Sequence, residues 1–250
     1  MTSPRATMPA DLGTACATAP RDTVPSLLPL IRLLQLASPT LPIGAYSYSQ
    51  GIEWVVEDGV IHDAASTREW IGDVLDFVVA RGEAAMAWRM LTAARGEDWQ
   101  ALAVWNDRFR TSRETAELRA ETEQMGSSLT RLVTDLDLLD ETARNASKRV
   151  APITLPAAFA LAARGFAVPI DAALAAYVWS WLESQVLAAM KLVPLGQVSG
   201  QRLLMTLGAK SPAVVVTAMT LADDDVSTFA PGLAFASARH ETQYTRLFRS

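Results

Sequence analysis

Groups able to move protons, hold a metal or attack a substrate are few in this chain. It carries two histidines, His62 and His240, and one cysteine, Cys16. A zinc site built on His and Cys needs three or four ligands, and only these three candidates exist. "HETQY", His240 to Tyr244, opens like the H-E-x-x-H zinc-protease helix, in which two imidazoles one turn apart grip the metal. Tyr244 stands where the second imidazole belongs. The segment therefore reads as a polar and aromatic interaction element, and no metal ligand is expected.

Nucleophilic and nucleotide chemistry fare no better. Ser47 and Ser49 would need a histidine base held by a third group, and His62 would have to turn back across Gly59. A phosphate cradle needs G-x-x-x-x-G-K-[ST] after a strand. The two glycines of "PIGAYSYSQG", Gly44 and Gly51, do not have that spacing. Glu114, Glu117 and Glu121 fall at i, i+3, i+7, and carboxylates laced with Arg113 and Arg119 read as a solvated or partner-docking helix face. No catalytic residue and no cofactor is expected.

The elements that must position these residues are helical. Half of the 250 residues are apolar, enough for a sizeable core. Net charge is −5 with no long basic block, which argues against nucleic acid as the main partner. No signal-peptide pattern and no apolar run near the roughly 20 residues that span a bilayer is apparent. With one cysteine, a reducing cytoplasm is the expected setting.

Residues 1–25, rich in Ala, Thr and Pro, are expected to be a flexible tail. Leu27, Leu30, Ile31 and Leu34 mark a helix that Ser38-Pro39 ends. A turn over Pro39–Gly44 then aims a helix from about Tyr46 to Glu57, presenting Tyr46, Ser49, Gln50 and Glu53 together. Ser66 and Glu69 stand at capping-box spacing. Further helices are expected at about 83–94 and 99–109, over one long stretch from Ser112 to Arg144, and at 155–164, 170–192, 199–207 and 212–221, with Asp171 capping the 170–192 helix. β-alternation is lacking. The expected fold is all-α, a single-domain bundle of about eight to ten helices over 26–225, with 226–250 as a C-terminal partner-binding tail.

Four blocks in order resemble the UreF family of urease accessory proteins: "LLQLASPTLPIGAYSYSQGIEW", "TAELRAETEQMGSSL", "SWLESQVLAAMKLVPLGQVSGQRLL" and "HETQYTRLFRS". The resemblance implies a non-enzymatic, all-α, homodimeric assembly factor. Such a protein binds UreD (also called UreH), recruits the GTPase UreG and meets apo-urease, so that nickel reaches the urease active site with GTP hydrolysis. It implies partner binding by Pro42, Gly44, Tyr46, Ser47, Ser49, Gln50, Gly51 and Glu53 of the first block and by Glu117, Arg119 and Glu121 of the second. In the closing block it implies the same for His240, Glu241, Tyr244, Arg246, Leu247 and Phe248. Ala45 departs from the family, where a second glycine is common. Two alternatives stay open: a small helical enzyme with a pocket lined by Tyr46, Tyr48 and the Glu117–Glu121 face, and an interaction module for another GTPase.

Overall fold

A computed structural model describes residues 27–250. The tail expected over 1–25, with Cys16, lies outside the described residues. Pro29 stands in the first turn of α1 (Leu28–Leu36), where its missing N–H is no loss. A loop with a short 3-10 turn at Ala45–Ser47 leads to α2 (Ile52–Glu57). Helix α3 (Ala64–Val74) runs without a break through a π-helical stretch, Leu75–Glu83, into α4 (Ala84–Arg95). Then come α5 (Trp99–Thr111), α6 (Ala116–Asp135), α7 (Glu141–Arg149), α8 (Leu155–Gly165), α9 (Ile170–Leu192), α10 (Gln197–Gly208), α11 (Ser211–Thr220) and α12 (Pro231–His240).

Because α3, the π stretch and α4 form one rod, and α10 and α11 follow each other closely, these segments amount to ten helices, with no strand among the described residues. The fold is the expected all-α single-domain bundle. Its centre is α4, α8 and α9, with α6 against α8 and α5 against α4. The inward faces of α4 and α8 are largely alanine, including Ala84, Ala87, Ala94, Ala157, Ala158 and Ala162. Small side chains let helix axes approach closely, while Leu161, Leu174 and Met90 fill the remaining volume. At Gly126 a Cβ would overlap the Ile153 carbonyl oxygen, so α6 crosses the 153–154 backbone only because that position is glycine.

Four local expectations are overturned, and one helix face takes a direction that its spacing leaves open. The single helix over Ser112–Arg144 is two, α6 and α7, separated by a turn in which Asp137 takes φ 53° and Asp140 caps α7 through Ala143 N–H. The helix expected from Tyr46 is interrupted at Gln50 (φ 53°) and Gly51 (φ 82°) and starts at Ile52. The capping residue of α3 is Asp63, with Ser66 as its reciprocal partner rather than the cap itself. Asp171 lies in the first turn of α9, whose cap position is Pro169. The stripe Leu27, Leu30, Ile31 and Leu34 on α1 faces outward, while Leu36 is buried and Leu33 packs on the core.

One apolar run is longer than sequence reading allowed. Gln197–Thr220, 24 residues spanning α10 and α11, contains an 18-residue window of mean hydropathy 1.4, enough in length and composition to cross a membrane. It is interrupted at Ala209–Lys210 and packs along α9, α3 and α4. Only 28% of that window is buried.

Candidate functional site

Two left-handed glycines shape the first signature block. Gly44 (φ 81°) caps the 3-10 turn at Ala45–Ser47, and a Cβ there would meet nothing, so only its backbone conformation calls for glycine. Gly51 (φ 82°) is constrained twice, since a Cβ would come 3.1 Å from Ser237 N in α12. Ala45 lies within the 3-10 turn and is not among the positive-φ residues, so alanine is unstrained there.

The chain end folds back onto this block as a strap. The Glu53 carboxylate accepts from Leu247 N–H (2.5 Å) and Phe248 N–H (2.9 Å). Arg249 N–H donates to the Ser47 carbonyl at 2.8 Å, and Ser49 donates to the Ser250 carbonyl from its N–H (2.7 Å) and its Oγ (2.6 Å). These are strand-like pairings, made without a sheet. Lys191 of α9 lies over the Phe248 ring, 5.2 Å from its centroid, and Phe248 is buried.

Charge converges beside the strap. His240, 0% exposed at the end of α12, has Nδ1 2.7 Å from Glu117 and Nε2 3.3 Å from Glu53. Arg246 pairs with Glu117 from the other side. Glu241 accepts from Glu117 N–H at 3.1 Å, supplying a partner for the exposed first turn of α6. Thr115, the cap of α6, shares a 2.7 Å hydrogen bond with Ser237 of α12.

A second layer lies deeper. Gln50 donates to Glu121 and accepts from Trp181 Nε1, both at 2.8 Å. Ser250 Oγ donates to Glu121 at 2.5 Å, and Tyr48 donates to Gln124 at 2.8 Å. Burial pushes the Glu121 carboxyl up to about 7, against the hydrogen bonds from Ser250 and Gln50 that favour its ionised form. Tyr48, Gln50 and Glu121 also line a cavity bounded by α6, α9 and the 36–45 loop.

The structure thus joins parts of three motif blocks and turns several of their side chains inward. Ser49 is 0% exposed, Glu53 7% and Glu121 3%, so the face expected to present Ser49 and Glu53 to solvent is covered by the strap. The acidic stripe is split in the same way: Glu121 is buried, Glu117 is paired and Glu114 precedes the helix. Pro42, Tyr46, Glu241, Tyr244, Arg246 and Leu247 are exposed, with Tyr46 at 75%. Gly44, Ser47, Gln50, Glu117 and Arg119 are half-buried. Of the residues set out for an enzyme pocket, Tyr48 and Glu121 share the cavity, whereas Tyr46 points away into solvent and Glu117 is bound to the tail.

Sequence reasoning missed Thr115 and Ser237 as a coupled pair and Gln243, which bonds to Glu57. Nothing in their spacing signals these contacts. Among the described residues no group of three or more His, Cys, Asp or Glu side chains is arranged to hold a metal ion.

Comparison with known proteins supplies the context for these blocks. The UreF family model matches residues 61–208. The chain is 56% identical over 226 residues to the urease accessory protein UreF of Azoarcus sp. (strain BH72), covering 90% of this chain and 97% of that protein. It is 49% identical over 221 residues to the urease accessory protein UreF of Janthinobacterium sp. (strain Marseille), covering 88% and 98%. It is also similar, at 49% identity over 256 residues, to the bifunctional urease accessory protein UreEF of Bordetella bronchiseptica, of which it matches 59%.

Proposed function

The chain belongs to the UreF family of urease accessory proteins, and from that premise we propose that it is a non-catalytic scaffold for loading nickel into urease. It acts in the cytoplasm as a homodimer, binds UreD (UreH), recruits and regulates the GTPase UreG, and carries this assembly to apo-urease. Nickel is cargo in this scheme, and the nucleotide and most metal ligands sit on the partners.

The observation that carries the reading is the meeting of motif blocks about 200 residues apart at one surface. Glu53 of the first block, Glu117 and Glu121 of the second and His240–Ser250 of the last are tied together by direct hydrogen bonds. A site for small-molecule turnover would leave these groups open to substrate. Here they bind the chain's own end, and around them Tyr46, Tyr244 and Leu247 stand free for a macromolecule. The outward stripe Leu27, Leu28, Leu30, Ile31 and Leu34 on α1 adds apolar area of the kind that marks protein contact. We place the UreD contact on the strap and the 42–53 block. The remaining first- and second-block residues, Gly44, Ser47, Gln50, Gly51 and Arg119, set the conformation of that contact.

Co-purification of this chain with UreD, UreG and apo-urease, followed by sizing, tests the scheme. A complex containing two copies of the chain, lost on removing 239–250, is expected. Retention of UreD by the truncated chain would remove the role given to the strap.

A further inference from the structure

The cavity behind the strap measures about 100 Å³ and opens between α6, α9 and the 36–45 loop. Its charged lining is Glu83, Arg113, Glu121 and Glu183. Glu83 and Arg113 pair at 2.5 Å and cancel. The other two carboxylates have no cation beside them among the described residues. Glu121 is held by the neutral donors of Gln50 and Ser250. Glu183 accepts from nothing, and burial alone pushes its carboxyl up. With one guanidinium against three carboxylates, the wall lacks positive charge.

Two neutral groups in the same lining also want partners. Tyr177 is 6% exposed and Gln185 4%, yet among the described residues neither the hydroxyl nor the amide makes a hydrogen bond. Buried groups of these kinds normally have one. The orphaned polar atoms that are shut off from water lie elsewhere, on Arg113, Thr130, Arg144, Ser211 and Gln243. The Tyr177 and Gln185 groups therefore open onto the cavity they line. Tyr177, Trp181 and Gln185 follow at intervals of four along one side of α9. Trp181 Nε1 donates to Gln50, which donates to Glu121, so the Glu121 carboxylate stands opposite the middle of that side. Burial, and after it the charges of Glu83 and Glu121, push the Tyr177 hydroxyl well up and keep it protonated.

We propose that this cavity binds a small primary alkylammonium ion, its N–H groups shared among the Glu121 carboxylate and the oxygens of Tyr177 and Gln185, its carbons against Met125 and Phe159. An ammonium carries three donors and no acceptor, which matches a wall of unpaired acceptors. The rings of Phe159 and Tyr177, edge to face with centroids 5.4 Å apart, add aromatic surface that favours a cation. An anion would join uncompensated carboxylates, and a neutral alcohol would leave Glu121 without its counter-charge. Among the described residues no group of three or more His, Cys, Asp or Glu side chains is arranged for a metal ion. The occupant is thus a singly charged amine with few carbons, and the inference stands apart from the scaffold role.

The full chain, labelled at methionine methyls with carbon-13, tests this by titration with methylammonium, ethylammonium and propylammonium chloride at fixed ionic strength. The titration is run at pH 8, above the value of about 7 to which burial raises the Glu121 carboxyl. Sodium chloride and propan-1-ol serve as controls. The Met125 methyl, on the cavity wall, is expected to shift saturably with the ammonium ions, while the exposed Met205 methyl on α10 stays in place. Glu121→Gln keeps the side chain's shape and removes its charge. It is expected to weaken binding about tenfold or more, the loss of one charge-assisted hydrogen bond. Gln185→Leu breaks no hydrogen bond of the fold, and is expected to weaken binding about threefold without lowering the denaturation midpoint. A Met125 methyl that no alkylammonium moves, or that sodium or propanol moves equally, overturns the proposal and leaves the cavity to water. Unchanged affinity in Glu121→Gln overturns it as well.

Discussion

Replacing Glu53 by alanine should release the strap while leaving the bundle folded. Glu53 is the sole carboxylate accepting from both Leu247 N–H and Phe248 N–H, and it faces His240 Nε2 as well. A hydrogen bond to a charged group contributes roughly 1.5–3 kcal/mol, so losing the two backbone contacts alone removes about 3 kcal/mol from strap docking. That corresponds to about a hundredfold in the local opening equilibrium. Native-state hydrogen exchange reads this directly, because amides open locally with their own free energies. Exchange at Leu247 and Phe248 should speed up by about two orders of magnitude, whereas amides in the buried face of α8 keep their rates. Cleavage after Arg246 by trypsin should accelerate in parallel. Glu53→Gln, which keeps one acceptor oxygen, should fall between. Unchanged protection at Leu247 and Phe248 in Glu53→Ala would refute the idea that this carboxylate holds the strap.

Other consequences are as specific. Glu121 binds a proton in the folded chain up to about pH 7, whereas its ordinary value is 4.5. Folding therefore takes up a proton between those values, and stability falls across that window as pH rises, by up to about 3 kcal/mol. Glu121→Gln should match the wild type in urea denaturation at pH 5 and exceed it at pH 8; equal curves at both pH values would contradict this. Gly51→Ala puts a side chain at φ 82° and 3.1 Å from Ser237 N, and should cost about 2 kcal/mol or more with loosening of α12. Gly44→Ala, with open space, should cost only about 1 kcal/mol. Asn106 accepts from Thr154 N–H and Oγ and donates to the Pro152 carbonyl. Asn106→Ala strands these buried groups and should lower the denaturation midpoint by an amount equivalent to about 3 kcal/mol.

The helices were legible because their apolar spacing and their Pro and Gly boundaries act over a few residues. Leu174, Tyr177, Val178, Trp181 and Leu182 recur at helical spacing over 170–192 and are all buried in the core. Breaks that depend on a single left-handed residue were not legible. Asp137 and Gln50 are ordinary polar residues whose type does not by itself call for the positive φ they take. The α1 stripe obeyed helical spacing yet faces outward, since periodicity gives a face and not its direction. The site was legible only as separate blocks. Glu53 and His240 are 187 positions apart, and no local rule pairs a carboxylate with an imidazole over that distance. Equally distant contacts bind Glu117 to His240 and Glu121 to Ser250, although both read as part of a solvated or partner-docking face.

The most direct test of the scaffold reading is urease activity in cells that lack their own UreF but hold urease, UreD, UreG and nickel. Expression of this chain is expected to restore nickel-loaded, active urease, and the strap-deleted chain, produced at the same level, to leave urease without metal. Stable expression of the full chain with no gain in urease nickel content or activity would contradict the account.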